Sequence, residues 1–321
     1  MAQPSSTSLL TAERLFSVKN WICLVTGGGT GIGLMCAQAL AANGLSSPSP
    51  QPLFIFNSKL TTKCHPGAKV YITGRRLPVL EAAAAKHSPP NGPGSIIPIG
   101  PCDVTSKPAL ESLWNDFSTK EGWLDLLICN AGISGPKAFP SSSDASELRL
   151  HLWQREDPDE WAKVLHTNVT SVYFATVAFL PMLQAASRRQ HMAGNVIVIS
   201  SMSGIMKNAQ GHFSYNASKG GAVHLTRLMS TEFEKTGIRV NSIAPGYFPS
   251  EMTTGESDEG GKSVLSDDAV KGKGHPVPAG RAGSDEEMAQ ACLFLATNRY
   301  VNGEIIAVDG GVLNQVPGGG R

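Results

Sequence analysis

Seven short apolar runs recur along the chain, at residues 21–26, 69–73, 95–100, 124–129, 195–200, 239–243 and 304–308. Continuous apolar runs of that length, without polar alternation, read as strands covered on both faces of a parallel sheet. The stretches between them carry helical character. Leu34 to Asn43 is rich in alanine and leucine, with Gly44 placed to stop it in the left-handed conformation. Asp157-Pro158-Asp159-Glu160 combines an N-cap, a proline at the first helical position and a glutamate at the third, opening a helix over 158–185. Ser284-Asp-Glu-Glu287 has capping-box spacing ahead of Met288 to Ala296, and a further helix is expected over 213–235. Strand alternating with helix predicts an α/β class, one doubly wound domain on a seven-stranded parallel sheet, with ligand at the carboxyl ends of its strands.

The pattern breaks in four places. Residues 1–18, rich in Ser and Thr at their start, are expected as a flexible tail before a domain spanning 19–315. Residues 45–67 are rich in Ser, Pro and Thr around Pro52-Leu-Phe-Ile-Phe56 and form an irregular insert. Without them Asn43-Gly44 would join Ala68 in a connection of ordinary length. The insert is therefore expected to be a surface excursion or translated non-coding sequence. Residues 133–156 and 251–273 are expected as irregular loops beside the site, the second of them a mobile lid.

The first apolar run, Trp21 to Thr26, feeds directly into Gly27-Gly-Gly-Thr-Gly-Ile-Gly33 and then into helix. Strand, glycine turn and helix together let the backbone approach a pyrophosphate, whose charge meets free amides at the helix N-terminus. Far downstream, Tyr215 and Lys219 stand four residues apart, about one helical turn, on one face. An ammonium beside a phenol favours the phenolate, so Lys219 is expected to pull the Tyr215 pKa down toward the working pH, as an acid/base requires.

The spacing Thr-Gly-x-x-x-Gly-x-Gly, together with Tyr215 and Lys219, resembles the short-chain dehydrogenase/reductase family. The resemblance spans nearly the whole chain and implies the Rossmann version of the doubly wound fold. It implies a catalytic set of Asn168, Ser201, Tyr215 and Lys219. Ser201 is chosen over Ser200 and Ser203 because Gly204 follows it by three, as in the family pattern. Tyr215 would donate the proton, Ser201 a hydrogen bond to the substrate oxygen, and Lys219 a contact to the nicotinamide ribose. Asn168 would anchor a water. The cofactor positions implied are Thr26, Gly27, Thr30, Gly31, Ile32 and Gly33 at the turn, Asp103 and Val104 at adenine, and Asn130, Ala131 and Gly132 after the fourth strand. Pro245, Gly246, Phe248 and Ser250 would lie at the carboxamide, with Ser250 standing where threonine is more usual.

At the end of the second strand, Gly74-Arg75-Arg76 carries no acid. A carboxylate there would take the ribose 2′-hydroxyl of NAD, whereas a guanidinium suits a 2′-phosphate. Arg75 and Arg76 thus point to NADP(H). The run Ala244 to Met252 is similar to 3-oxoacyl reductases of rhamnolipid type and their fungal relatives. The leading expectation is an NADP-dependent reductase of a ketone or 3-oxoacyl carbonyl, with a role in secondary metabolism. An NAD-dependent secondary-alcohol dehydrogenase and a dinucleotide-binding regulator without turnover are the alternatives.

Composition narrows the partners. A hydrophobic content of 41% and a net charge of +1 permit a large core and give no support to a nucleic-acid partner. The six cysteines, at 23, 36, 64, 102, 129 and 292, have no paired spacing and read as reduced core residues rather than a disulfide or metal framework. Neither a secretory leader nor a membrane-crossing run is evident, so a cytoplasmic enzyme is expected. His151 is weighed as a second acid/base. By family analogy the helices at 158–185 and 213–235 would pack between subunits of a homodimer or homotetramer.

Overall fold

The computed structural model describes residues 7, 10–43, 67–90, 94–190, 194–272 and 276–316. A short turn of helix, α1 (Ala12–Leu15), precedes β1 (Ile22–Thr26), and the glycine turn leads into α2 (Gly31–Ala42). Then come β2 (Lys69–Thr73), α3 (Leu77–His87), β3 (Ser95–Pro98), α4 (Lys107–Lys120) and β4 (Leu126–Cys129). The second half begins with α5 (Ala145–Arg155), α6 (Pro158–Leu165), α7 (Ser171–Gln190) and β5 (Gly194–Ile199). It continues through α8 (Phe213–Glu232), β6 (Ile238–Pro245), α9 (Glu251–Thr254), α10 (Asp267–Lys271), α11 (Asp285–Thr297) and β7 (Ile305–Val308).

The strands lie in the order β3-β2-β1-β4-β5-β6-β7, with every pairing parallel. Alternate residues of each strand serve opposite faces. Cys23 and Val25 of β1, with Ile197 and Ile199 of β5, meet Leu34 and Leu40 of α2 and Met288 and Leu295 of α11. Leu24, Val196 and Val198 point the other way, into Leu113 and Phe117 of α4, Phe179 and Leu183 of α7, and Met229 of α8. Both faces of the sheet are therefore covered, and the apolar runs need no polar alternation. The order reverses between β1 and β4, and such a switch point opens a crevice at the carboxyl ends of the strands.

The expected caps form. Asp157 accepts from the Asp159 and Glu160 amides, and Ser284 and Glu287 cap each other reciprocally. Four expectations change. The helix expected over 158–185 is α6 and α7 joined by a π-helical turn, His166–Thr170. Residues 133–156 are not wholly irregular: Asp144 caps the first turn of α5. The expected lid, 251–273, contains α9 and α10 and is tied down by ion pairs. Val18, placed at the end of the tail, is fully buried and belongs to the core. Of the insert expected at 45–67, residues 45–66 lie outside the described residues, as do Gly44 and Cys64. The other five cysteines are free and buried. The continuous helical run 158–189 is long and apolar enough to cross a membrane, yet α7 buries Phe179 and Leu183 beneath the sheet, as a core helix does.

Candidate active site

A cleft of about 620 Å³ opens at the switch point, walled by the glycine turn and by the segments leaving β2, β4, β5 and β6. Its floor is fixed by close approach. A Cβ on Gly33 would stand 2.3 Å from the Gly27 carbonyl oxygen, so only glycine lets α2 descend onto the turn. The Ile32 and Gly33 amides, in the first turn of α2, have no carbonyl within that helix to bond. Thr26 lies beneath the turn, where its hydroxyl accepts from the Asn130 amide at 3.0 Å and the Ala131 amide at 3.3 Å. The Asn130 Nδ2 in turn donates to the Thr26 and Gly27 carbonyls. Thr26 and Gly33 thus frame the cleft, while Gly27, Thr30, Gly31, Ile32, Asn130, Ala131 and Gly132 line it. Helix-first amides over a glycine floor suit a pyrophosphate.

At one end the cleft reaches Ser201, Tyr215 and Lys219, with Pro245, Gly246, Phe248 and Ser250 on the facing wall. Ser200 is committed to the sheet: its hydroxyl lies 2.7 Å from that of Ser242 and donates to the Ile243 carbonyl at 3.0 Å. Ser201 begins the next turn, accepting from the Ser203 amide at 3.1 Å. Gly204 is what brings α8 to it, since a Cβ there would fall 2.4 Å from the Lys219 carbonyl carbon. Lys219 is buried, and its Nζ donates to the Ile199 carbonyl at 2.8 Å, 5.7 Å from the centre of the Tyr215 ring.

Burial alone brings the Lys219 pKa down to about 8. The Tyr215 phenol is pushed up, not down: burial raises it, and a hydrogen bond with Ser201 draws it only part of the way back. The expectation that Lys219 lowers the phenol is therefore overturned for this state. The cause is geometric, since the ammonium is turned to a backbone carbonyl while desolvation acts on the phenol directly. Asn168 is 1% exposed and does not line the cleft. Its Nδ2 donates to the Ile133 carbonyl and to the Ser218 hydroxyl, both at 2.9 Å, and its Oδ1 accepts from the Ile133 amide. Both amide hydrogens are used, and they tie the loop after β4 to α8.

At the other end are Arg75, Arg76, Asp103 and Val104. One Asp103 oxygen accepts from the Thr105 hydroxyl at 2.7 Å and the Thr105 amide at 3.0 Å. Those bonds, with Arg75 and His166 nearby, hold the carboxyl below its ordinary value. Arg76 is not free: its Nη2 donates to Glu251 Oε2 at 2.7 Å. Glu251 lies 175 positions away in sequence and is a cleft residue that sequence reasoning missed; no local signal marks it. His166 and Lys163 also line the cleft from α6 and the π turn, unforeseen. His151 does not line it, so the structure does not bring that residue to the site.

Comparison with known proteins agrees with this geometry. Residues 62–313 match a family model described as enoyl-(acyl carrier protein) reductase. The chain is 36% identical over 322 residues to the short-chain dehydrogenase/reductase PhomF of Diaporthe leptostromiformis, covering 98% of each. It is 31% identical to the 3-oxoacyl-[acyl-carrier-protein] reductase FabG of Chlamydia muridarum, covering 91% of this chain and 97% of that one. Among solved structures, the RhlG/NADP active-site complex of Pseudomonas aeruginosa superposes with a TM-score of 0.68 at 29% identity, covering 93% of this chain and 98% of that one. The chain therefore belongs to the short-chain dehydrogenase/reductase family, oxidoreductases that act on carbonyl or alcohol carbons with a nicotinamide dinucleotide.

Proposed function

We propose that this enzyme reduces a ketone or 3-oxoacyl carbonyl to a secondary alcohol with NADPH. The observation that carries the reading is geometric: Ser201, Tyr215 and Lys219 meet at one end of a cleft whose other end holds Arg75 and Arg76. Burial pushes the Tyr215 phenol up from its ordinary value, so the group carries the proton that a forming alkoxide needs. When bound, reduced nicotinamide supplies a hydride to the carbonyl carbon. Tyr215 delivers its proton to the oxygen, and Ser201 donates a hydrogen bond where negative charge develops. Lys219, whose Nζ lies 5.7 Å from the centre of the Tyr215 ring, would hydrogen-bond the nicotinamide ribose when the cofactor is bound and stand as the cation beside the phenolate left behind. Asn168 is a positioning residue: through Ser218, whose hydroxyl donates to the Tyr215 carbonyl at 2.7 Å, it fixes the first turn of α8.

NADP is favoured by Arg75 and Arg76, two guanidiniums at the end of β2 where a ribose 2′-phosphate would stand. The FabG relative, a 3-oxoacyl reductase, supports the carbonyl class, and the RhlG relative, solved with NADP, supports the cofactor. Helices α6, α7 and α8 are taken as the subunit contacts of a homodimer or homotetramer, and residues 19–315 as one domain. The test is a panel of ketones and 3-oxoacyl thioesters with purified protein and each cofactor. NADPH oxidation coupled to alcohol formation is expected. Equal kcat/KM with NADH and NADPH would refute the cofactor, and cofactor binding without turnover on any carbonyl would refute the reaction.

A further inference from the structure

We propose that Glu251 is a specificity-determining residue of the cofactor site, holding Arg76 in an ion pair that a ribose 2′-phosphate must displace and so setting the strength of the preference for NADPH. The inference rests on the 2′-phosphate reading of Arg75 and Arg76. Both members of the pair line the cleft, and their contact is a direct 2.7 Å hydrogen bond. Arg75 forms no side-chain hydrogen bond among the described residues, so the two arginines differ: one is ready, the other occupied.

Glu251 is held in place. Its second oxygen accepts from the Ser257 hydroxyl at 2.7 Å. The chain beyond it is strapped along α3 and back to the glycine turn. Lys86 Nζ meets Asp258 at 2.9 Å, His87 Nε2 lies 2.9 Å from the Gly260 carbonyl oxygen, and the Gly31 amide donates to the Gly261 carbonyl at 3.2 Å. A carboxylate so fixed remains beside Arg76 until another anion takes the guanidinium. The pair is solvated, with side chains 59% and 30% exposed, and such pairs are weak. A phosphate dianion offers a guanidinium two parallel bonds and displaces the carboxylate. The carboxylate left behind then repels the phosphate, at a distance where water and salt screen only part of the effect. Glu251 therefore weakens NADP binding without contacting NAD's hydroxyl.

The experiment is Glu251→Gln, read as the Kd of NADP+ and NAD+ by titration calorimetry and the KM of NADPH and NADH. The NADP+ Kd should fall about threefold, the scale of one solvated ion pair, and NADP+ should gain on NAD+ by the same factor. Lys86→Ala, which loosens the strap but leaves Arg76 paired, should leave the ratio unchanged. A ratio shifted equally by Lys86→Ala would overturn the proposal in favour of strap opening. If Arg76→Ala erodes the NADP preference while Glu251→Gln does nothing, the proposal fails and the 2′-phosphate reading stands. If the wild type prefers NAD+ and Glu251→Gln weakens it, the carboxylate binds the ribose 2′-hydroxyl and both readings fall. A wild type without preference, unmoved by Glu251→Gln, overturns both as well.

Discussion

The two ends of the cleft are built on opposite electrostatic terms. At the buried end, Lys219 is 4% exposed and Ser201 7%, both set by strands and helices of the core. At the exposed end, Arg76 and Glu251 pair across solvent between a β2–α3 turn and a four-residue helix. Buried groups interact strongly and pay for desolvation; exposed ones are screened and give modest discrimination. Under the proposed function, chemistry sits where protonation can be tuned, and recognition of a 2′-phosphate where ions can exchange.

The sharpest way to break that contrast is at the buried end. Tyr215→Phe deletes only the transferable proton, so kcat for carbonyl reduction should fall about 10³-fold while cofactor binding persists. Full turnover in this variant would remove the proton donor from the scheme. Lys219→Met addresses the desolvated ammonium. Burial lowers the Lys219 pKa from 10.5 to about 8, so between those pH values the unfolded chain binds the proton and the folded protein does not. Stability attributable to this group therefore rises with pH across that window, by about 3 kcal/mol in full. The raised thiols of Cys102 and Cys129 act in the opposite sense, so the difference between wild type and Lys219→Met is the quantity to follow. A difference in unfolding free energy that is flat from pH 8 to 10.5 would mean that water reaches the ammonium.

Ser201→Ala comes next, with an expected loss of about a hundredfold in kcat, the scale of one hydrogen bond aimed at developing charge. The variant also removes the bond that draws the Tyr215 phenol down, so the phenol should titrate higher still. Ultraviolet titration of tyrosinate, wild type against variant, reads that shift. An unmoved titration would mean that Ser201 acts on substrate alone.

The contrast between the ends also decides what could be read without a structure. All seven strands were legible because parallel strands buried on both faces leave continuous apolar runs, and Ser201 could be separated from Ser200 by its distance to Gly204. That glycine has a steric cause, the approach of α8 to within 2.4 Å of any Cβ there. What stayed hidden depends on burial and distant contact. The direction of the Tyr215 shift follows from desolvation, which no local pattern of residues expresses. The pairing of Arg76 with Glu251 joins elements 175 positions apart, and α5 lies in a segment whose prolines and serines masked the cap at Asp144. The π turn at His166–Thr170, which points Asn168 into the loop after β4, has no sequence signature either.

The smallest expected effect tests the exposed end. Arg75 is solvent-facing and lies near Asp103, whose carboxyl it helps to hold down. If the adenosine end reads a 2′-phosphate through screened charges, Arg75→Ala should lower the ratio of kcat/KM for NADPH over NADH about tenfold, mainly through KM, since the guanidinium binds cofactor in ground and transition states alike. The ratio should also fall with added salt in the wild type and less steeply in the variant, because one solvated charge has been removed from the recognition. Loss of kcat with KM unchanged would contradict the division of the cleft, placing Arg75 in the alignment of the nicotinamide rather than in the choice of cofactor.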